Sequence, residues 1–202
     1  MPLPMVHFQA AYKSEEKFNV KNRAEYYLGS ISPDAVHMRS DFIREIKGTS
    51  HLWDADKAKH RKNVRKFLHE NSGGLNADYF KGYCVHILTD ICWEGSVYAL
   101  YKSRFSEDKN PMQDERWAYF NDTDQLDFFL HKEWIHTPDI WDLLKGINIS
   151  LADTFVSDKE VKAWNERTLH WYDSGESQHK NPIKYITIGD IEHFIMETDF
   201  TI

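Results

Sequence analysis

The run Gly82-Tyr83-Cys84-Val85-His86-Ile87-Leu88-Thr89-Asp90 sets a histidine and an aspartate four residues apart inside an apolar, helix-periodic segment. Side chains at i and i+4 share a helix face, so His86 and Asp90 can grip one ion together. Neutral imidazole and carboxylate are both ligands for zinc and similar metals. A polar pair turned inward from such a run is costly to bury unsatisfied. It needs a cation, or else a hydrogen bond between the two groups, and the pair by itself leaves both readings open.

Four further positions could join it. His7 lies on an amphipathic N-terminal segment, and Asp34 follows the turn Gly29-Ser30-Ile31-Ser32-Pro33. His51 sits in a stretch with no clear periodicity, and Asp122 opens Asp122-Thr123-Asp124-Gln125-Leu126-Asp127. Each has a structural alternative. His7 could be a core or surface imidazole, and His51 could stack on Trp53. Asp34 could cap a helix, and Asp122 with Asp124 could cap the helix that carries Leu126 to Leu130. His37, close to Asp34, reads as an exposed loop histidine or as an extra ligand. The basic run Lys57 to Lys66 is either a solvated helix face or an attractor of phosphate-bearing molecules.

The elements that must position these residues read as helices. Val6 to Ser14 is the first, and Asn22 to Leu28 the second. Gly29 ends that helix, and Pro33 turns Ser32 out of the helical region. Residues 35 to 55 read as irregular. Asp56 to Glu70 is a charged helix with Ala58, Val64, Phe67 and Leu68 on its drier side. Ala77 to about Phe105 is one long central helix, bent near Gly95. Met112 to Trp134 is another, with Trp117, Phe120, Leu126, Phe129 and Leu130 as core candidates. Pro138 opens a short helix, Val156 to Trp171 is amphipathic, and Asp173 to Pro182 is a polar loop that could serve as a lid. Thr187-Ile188-Gly189-Asp190 resembles a capping box opening a last helix. Lys184 to Ile188 is the one candidate strand. The expectation is a single all-α domain over residues 1–202 with seven or eight helices.

Composition narrows the partners. The formal net charge of −7 argues against general nucleic-acid binding, because phosphate backbones attract cationic surfaces. No apolar run approaches the ~20 residues of a membrane span. The first residues lack a basic segment followed by an apolar core, so the expected location is the cytoplasm. Cys84 and Cys92, eight residues apart on one helix, would have Cα atoms about 12 Å apart, too far for a disulfide. They read as reduced thiols.

Four blocks now form a pattern in order: Met5-Val6-His7-Phe8-Gln9-Ala10-Ala11, then Leu28-Gly29-Ser30-Ile31-Ser32-Pro33-Asp34, then Ser50-His51, then Gly82 to Trp93. Together they resemble the zinc-dependent phospholipase C family, and most closely its small cytoplasmic bacterial branch of hydrolases. Asp122 to Leu130 also resembles a segment of that branch, so the likeness covers about the first two thirds of the chain. The resemblance implies an all-α fold with a metal cluster in a cleft. Carried over position by position, Asp34, His51, His86 and Asp90 would hold a first metal. His7 would ligate a neighbouring one, with Asp90 bridging. The secreted members also use an N-terminal Trp, a His soon after the Asp of the central helix, and a His-x-x-x-Glu pair. This chain begins Met1-Pro2 and has no His in Ile91 to Ser96; Asp122, with Asp127, is the candidate replacement. One or two zinc ions, or another divalent transition metal, are therefore expected.

The implied activity is metal-assisted hydrolysis of a phosphoester, either a small molecule or a lipid head group, with Asp34 ligating and also orienting or deprotonating the attacking water. Two other readings stand beside it. One is a non-catalytic helical domain that keeps metal ligands for stability or interaction. The other is an HD-type phosphohydrolase, which needs an adjacent His-Asp pair; no such dipeptide occurs in the sequence.

Overall fold

Prolines and capping side chains fix where most helices start. Pro4 occupies the first turn of α1 (Pro4–Ser14), where its missing N–H costs nothing. Asn22 caps α2 (Arg23–Gly29) by accepting from the Glu25 amide. A 3₁₀ helix, Ser32–Met38, follows with Pro33 in its first turn. Then come α3 (Arg44–Ser50), α4 (Lys57–Asn71) capped by Asp56, and α5 (Ala77–Gly95). Next are α6 (Val97–Glu107), α7 (Glu115–Glu133) capped by Asp114, and α8 (Thr137–Lys145) with Pro138 in its first turn. Full capping boxes, Ser157 with Glu160 and Thr187 with Asp190, open α9 (Asp158–His170) and α10 (Ile188–Glu197). The computed structural model describes residues 2–40, 44–111, 113–148, 150 and 155–200.

The fold is all-α, a single domain with no strand among the described residues. Its two interior helices are α1 and α5. On α1, Met5, Val6, Phe8, Ala10 and Ala11 are buried; on α5, Tyr79, Tyr83, Val85, Ile87 and Leu88 are. A helix apolar on all sides must be surrounded, and α2, α4 and α7 supply part of that surround. No described helix is long and apolar enough to cross a membrane. Cys84 and Cys92 are free thiols, as their spacing requires.

Several sequence expectations are corrected. Ten α-helices are present among the described residues, more than the seven or eight expected. The interval 35–55, read as irregular, contains most of the 3₁₀ helix and α3; its residues 41–43 lie outside the described ones. Short helices carry too few turns for periodicity to register. The expected single helix over 77–105 is two, parted at Ser96, whose φ of −127° and ψ of −91° are not helical. The dry face of α4 is His60, Val64, Phe67 and Leu68, and Ala58 is exposed. Met112, the expected start of the next helix, lies outside the described residues.

The largest departure is in α7. Trp117 and Phe129, expected in the core, are exposed, whereas Asn121, Asp122, Thr123, Asp124 and Asp127 are buried. This helix packs a polar face inward because each of its buried carboxylates has partners. Asp124 accepts from the Ser177 hydroxyl. Asp127 accepts from the Met5 amide at 3.0 Å and from the Tyr172 hydroxyl at 2.5 Å. The segment 184–188, the candidate strand, gives its first three amides to Asp122 and that of Thr187 to Asp190 instead of to a ladder. The loop 173–182 is tied down by the same helix: Gln125 donates to the Asn181 carbonyl, and Asn121 accepts from the Asn181 amide.

Asp127 makes stability depend on pH in a definite direction. Burial pushes its carboxyl up to about 7, outweighing the hydrogen bonds from Tyr172 and Met5. The folded state therefore holds a proton that the unfolded state releases near its ordinary pKa of about 4. That contribution is fully present below about pH 4 and is lost as pH rises through about 7. Asp127→Asn should remove this slope. The difference between variant and wild-type unfolding free energies is expected to change by up to about 4 kcal/mol between pH 4 and pH 8, in favour of the variant at high pH. Parallel curves in urea titrations across that range would show that Asp127 is ionised at no cost.

Candidate metal centre

Backbone contact between two helices builds the scaffold of the site. A Cβ on Gly82 would lie 1.9 Å from the Tyr26 carbonyl oxygen, and one on Gly29 would lie 2.0 Å from that of Tyr79. Only glycine permits α2 and α5 to touch this closely. The contact brings the end of α2 against α5, so that the Ser30 carbonyl accepts from His86 Nδ1 at 2.8 Å. The 3₁₀ helix that follows then places Asp34 over α5.

His51 is held from three sides. It is the first residue after α3, just before Leu52, whose φ of 53° is left-handed. The Trp53 amide reaches back to the Gly48 carbonyl and the Leu52 amide to that of Thr49, the paired bonds that close a helix C-terminus. Its own carbonyl accepts from His60 Nε2 at 2.8 Å. The Tyr83 hydroxyl donates to the Ser50 carbonyl at 2.6 Å, fastening this turn to α5. His51 Nδ1 meets the Lys47 carbonyl at 3.0 Å.

These contacts settle the tautomers. A carbonyl oxygen can only accept, so Nδ1 of His86 carries the proton. His51 Nδ1 also meets Ser50 Oγ at 2.9 Å, and because that hydroxyl gives its own proton to the Lys47 carbonyl at 3.0 Å, Nδ1 of His51 is the donor there too. When neutral, each ring must then present a bare Nε2 lone pair to the site. Burial holds the pKa values of His7, His51 and His86 below the ordinary imidazole value, which favours the neutral ring.

Both lone pairs face carboxylates. His51 Nε2 lies 3.4 Å from Asp34 Oδ1 and 3.4 Å from Asp90 Oδ2. His86 Nε2 lies 3.8 Å from Asp34 Oδ2 and 3.9 Å from Asp90 Oδ2. His7 stacks on His86 with ring centroids 3.8 Å apart, and its Nε2 is 3.7 Å from Asp90 Oδ1. The Nε2 atoms of all three histidines, His7 Nδ1 and Asp90 Oδ1 are buried without a hydrogen-bond partner. Ligand atoms of His7, Asp34 and His86, and separately of His51, His86 and Asp90, fall within 4.8 Å of one another. Lone pairs and anions facing each other in a dry interior repel. A divalent cation resolves that conflict, and imidazole nitrogen with carboxylate oxygen is a donor set that zinc and its neighbours accept.

The two aspartates differ. Burial pushes the Asp34 carboxyl up, but the charge of the neighbouring Lys47 ammonium, the largest of the opposing effects, helps to hold it well below the usual range. Burial pushes Asp90 up, with Asp34 adding to the rise and His86 opposing it. Lys47 Nζ donates to Asp34 Oδ1 at 2.6 Å and lies 3.3 Å from His37 Nε2.

Two clefts open on the cluster, of about 890 and 1000 Å³. Asp34 and His37 line the first; His51 and Asp90 line the second; Lys47 and Tyr98 belong to both. The C-terminal part of the chain contributes to the first cleft through Trp164, Arg167, Thr168 and Trp171.

Of the six expected ligands, His7, Asp34, His51, His86 and Asp90 converge, and Asp122 does not enter either group. Its carboxylate accepts from the amides of Lys184, Tyr185 and Ile186, the Tyr185 bond at 2.6 Å, and from the Asn121 side chain. Asp127 is likewise engaged elsewhere. A His-x-x-x-Glu spacing does occur, at His193 and Glu197 of α10, but both are exposed and neither enters a metal-competent group. His37, read as an exposed loop residue, is partly buried 3.6 Å from Asp34.

Lys47 went unpredicted. It is four residues before His51, whose amide still bonds back to the Lys47 carbonyl just past the end of α3, but the signal requires knowing that α3 is a helix. Asp122→Ala should cost about 3 kcal/mol of stability through unpaired amides while leaving metal bound per folded molecule unchanged. Metal analysis beside urea denaturation checks this, and metal loss from a folded variant would return Asp122 to the site.

Family models, curated proteins and solved structures were all compared with this chain, and none matches.

Proposed function

We propose that this chain is a metal-dependent phosphoester hydrolase of the kind implied by its resemblance to the zinc-dependent phospholipase C family. It would act in the cytoplasm on a small phosphoester or a lipid head group and hold one or two zinc ions, or another divalent transition metal. The observation that carries this reading is the set of buried Nε2 atoms of His7, His51 and His86 that have no hydrogen-bond partner and face two carboxylates: Asp90, whose Oδ1 is itself unpartnered, and Asp34, which accepts from Lys47. A site built only for stability would pair these groups with each other.

Asp34, His51, His86 and Asp90 would hold one ion, and His7 with Asp90 would serve a neighbouring one. A bound ion of this class supplies Lewis-acid charge and lowers the pKa of water toward ~7. The chain's own residues do the rest. Asp34 lies at the wall of the first cleft and is held by Lys47, so it can orient a water toward a phosphorus atom in that cleft. Lys47 lines both clefts and offers an ammonium to a phosphoryl oxygen, where charge builds in the transition state. Ser30 and Lys47 carbonyls keep the two imidazoles in the ligating tautomer.

The test is turnover of p-nitrophenyl phosphate, bis-p-nitrophenyl phosphate and a short-chain phosphatidylcholine by the protein as purified, after chelation, and after zinc is restored. Activity on at least one is expected to vanish on chelation and return with zinc. His86→Ala should lower it at least about a hundredfold, together with metal content. Full activity and metal in that variant would overturn the assignment. Bound metal with no turnover on any of the three would favour the non-catalytic metal-binding domain.

A further inference from the structure

The first cleft carries features that the metal centre does not explain. Its walls are the start of α7 and the end of α9. On α7, the Arg116 guanidinium lies over the Phe120 ring, 5.6 Å from its centroid. On α9, the Arg167 guanidinium lies 4.9 Å from the Trp164 centroid and 5.3 Å from that of Trp171. Among the described residues neither guanidinium is paired with a carboxylate. The acidic residues of the same cleft are occupied: Asp34 with Lys47, Asp114 as the cap of α7, and Glu115 with Lys102. The guanidinium groups of Arg116 and Arg167 are therefore held by the rings they stack on and not by a carboxylate, and they present flat, π-rich surfaces. Tyr98, Tyr101 and Tyr119 add further rings.

Planar cations stacked on rings, facing more rings, select planar aromatic ligands over flexible chains, because stacking rewards flatness and an alkyl chain gains only area. The volume of about 890 Å³ is within the range of small-molecule sites. Asp34, His37 and Lys47 line the same cleft beside the metal centre, and the His37 ring adjoins the wall, 5.8 Å from the Trp164 centroid. From this juxtaposition we propose that the cleft binds an organic phosphate whose non-phosphate part is a planar aromatic ring. The phosphoryl group lies at Lys47, and the ring lies against the Arg167–Trp171 wall. This rests on the phosphoester reading and names its substrate class. It also distinguishes the ligand from a lipid, whose chains would use the apolar area but not the stacks.

The probes are phosphonates, which cannot be hydrolysed at the carbon–phosphorus bond: naphthylmethylphosphonate, hexylphosphonate, methylphosphonate, and inorganic phosphate. Binding to the metal-loaded full chain is measured by calorimetry, with quenching of tryptophan fluorescence as a second readout. Naphthylmethylphosphonate is expected to bind about tenfold more tightly than hexylphosphonate, and to quench fluorescence. The double variant Arg167→Ala, Trp171→Ala should bring the two to within about twofold while leaving inorganic phosphate affinity and metal content unchanged. Both side chains are exposed, so the variant should fold, and circular dichroism confirms that. Equal binding of the naphthyl and hexyl compounds to wild type would overturn the proposal and leave the phosphoester reading standing. A preference that survives the double variant would also overturn it. Failure of inorganic phosphate and every phosphonate to bind the metal-loaded protein would overturn both.

Discussion

Asp90→Asn is expected to move stability in opposite directions in the metal-loaded and metal-free protein. In the loaded protein it should lower the unfolding free energy by about 2 to 3 kcal/mol when metal stands near a thousandfold over its dissociation constant, because about 4 kcal/mol of binding energy that is folding energy is lost and only the gain of the metal-free fold offsets it. In the chelated protein it should raise stability by about 1 to 2 kcal/mol. The reason lies in what Asp90 faces. Its Oδ2 is 3.4 Å from His51 Nε2 and 3.9 Å from His86 Nε2, and its Oδ1 is 3.7 Å from His7. Without a cation, an anion meets lone pairs there. An asparagine amide would donate a hydrogen bond to those lone pairs and carries no charge, so the metal-free fold gains. Thermal unfolding with and without chelator, on both proteins, gives the comparison. Loss of stability in both states, by similar amounts, would mean that Asp90 is a structural partner of the histidines.

Gly82→Ala is the second large effect. In an exposed helix this change stabilises by up to about 1 kcal/mol. Here the new Cβ would sit 1.9 Å from the Tyr26 carbonyl oxygen and 2.9 Å from the Ser30 amide nitrogen. Ordinary contact needs roughly 3.5 Å, and the obstacle is backbone, which no rotamer change relieves. Helices α2 and α5 must part, at a cost of about 3 kcal/mol or more. The Ser30 carbonyl moves with α2, so His86 loses the bond that fixes its tautomer, and Asp34 is displaced through the 3₁₀ helix. Metal affinity should fall with stability. Gly95→Ala is the control: its nearest neighbour is the end of the flexible Lys57 side chain at 3.7 Å, so it should be neutral or mildly stabilising. Equal behaviour of the two variants in urea titrations would remove the glycine contact from the account.

The sequence discloses the centre of this site better than its edges. His86 and Asp90 are legible because a single helix fixes their relation at i and i+4. Asp34 and His51 are legible as residue types in ordered blocks, yet nothing local says that they meet. That depends on the α2–α5 crossing, whose trace in the sequence is two glycines among nine. Lys47 is hidden because α3 spans only Arg44–Ser50, too short for a period to emerge. Asp122 misleads for a different reason. An acidic cluster in a helix reads as surface, cap or ligand, whereas α7 buries it to collect the amides of a later segment. Such long-range pairing has no local signature. The same inversion explains why Trp117 and Phe129 face outward.

The most direct measurement of the central claim is metal content by elemental analysis, on wild type purified without added metal and on Asp90→Ala prepared alongside, each repeated after one reconstitution with zinc. Zinc or another transition metal bound at one or two ions per wild-type chain, and lost from the variant, is the predicted result. Wild-type protein that stays metal-free even after reconstitution would contradict it, and His7, His51, His86 and Asp90 would then be a buried structural cluster.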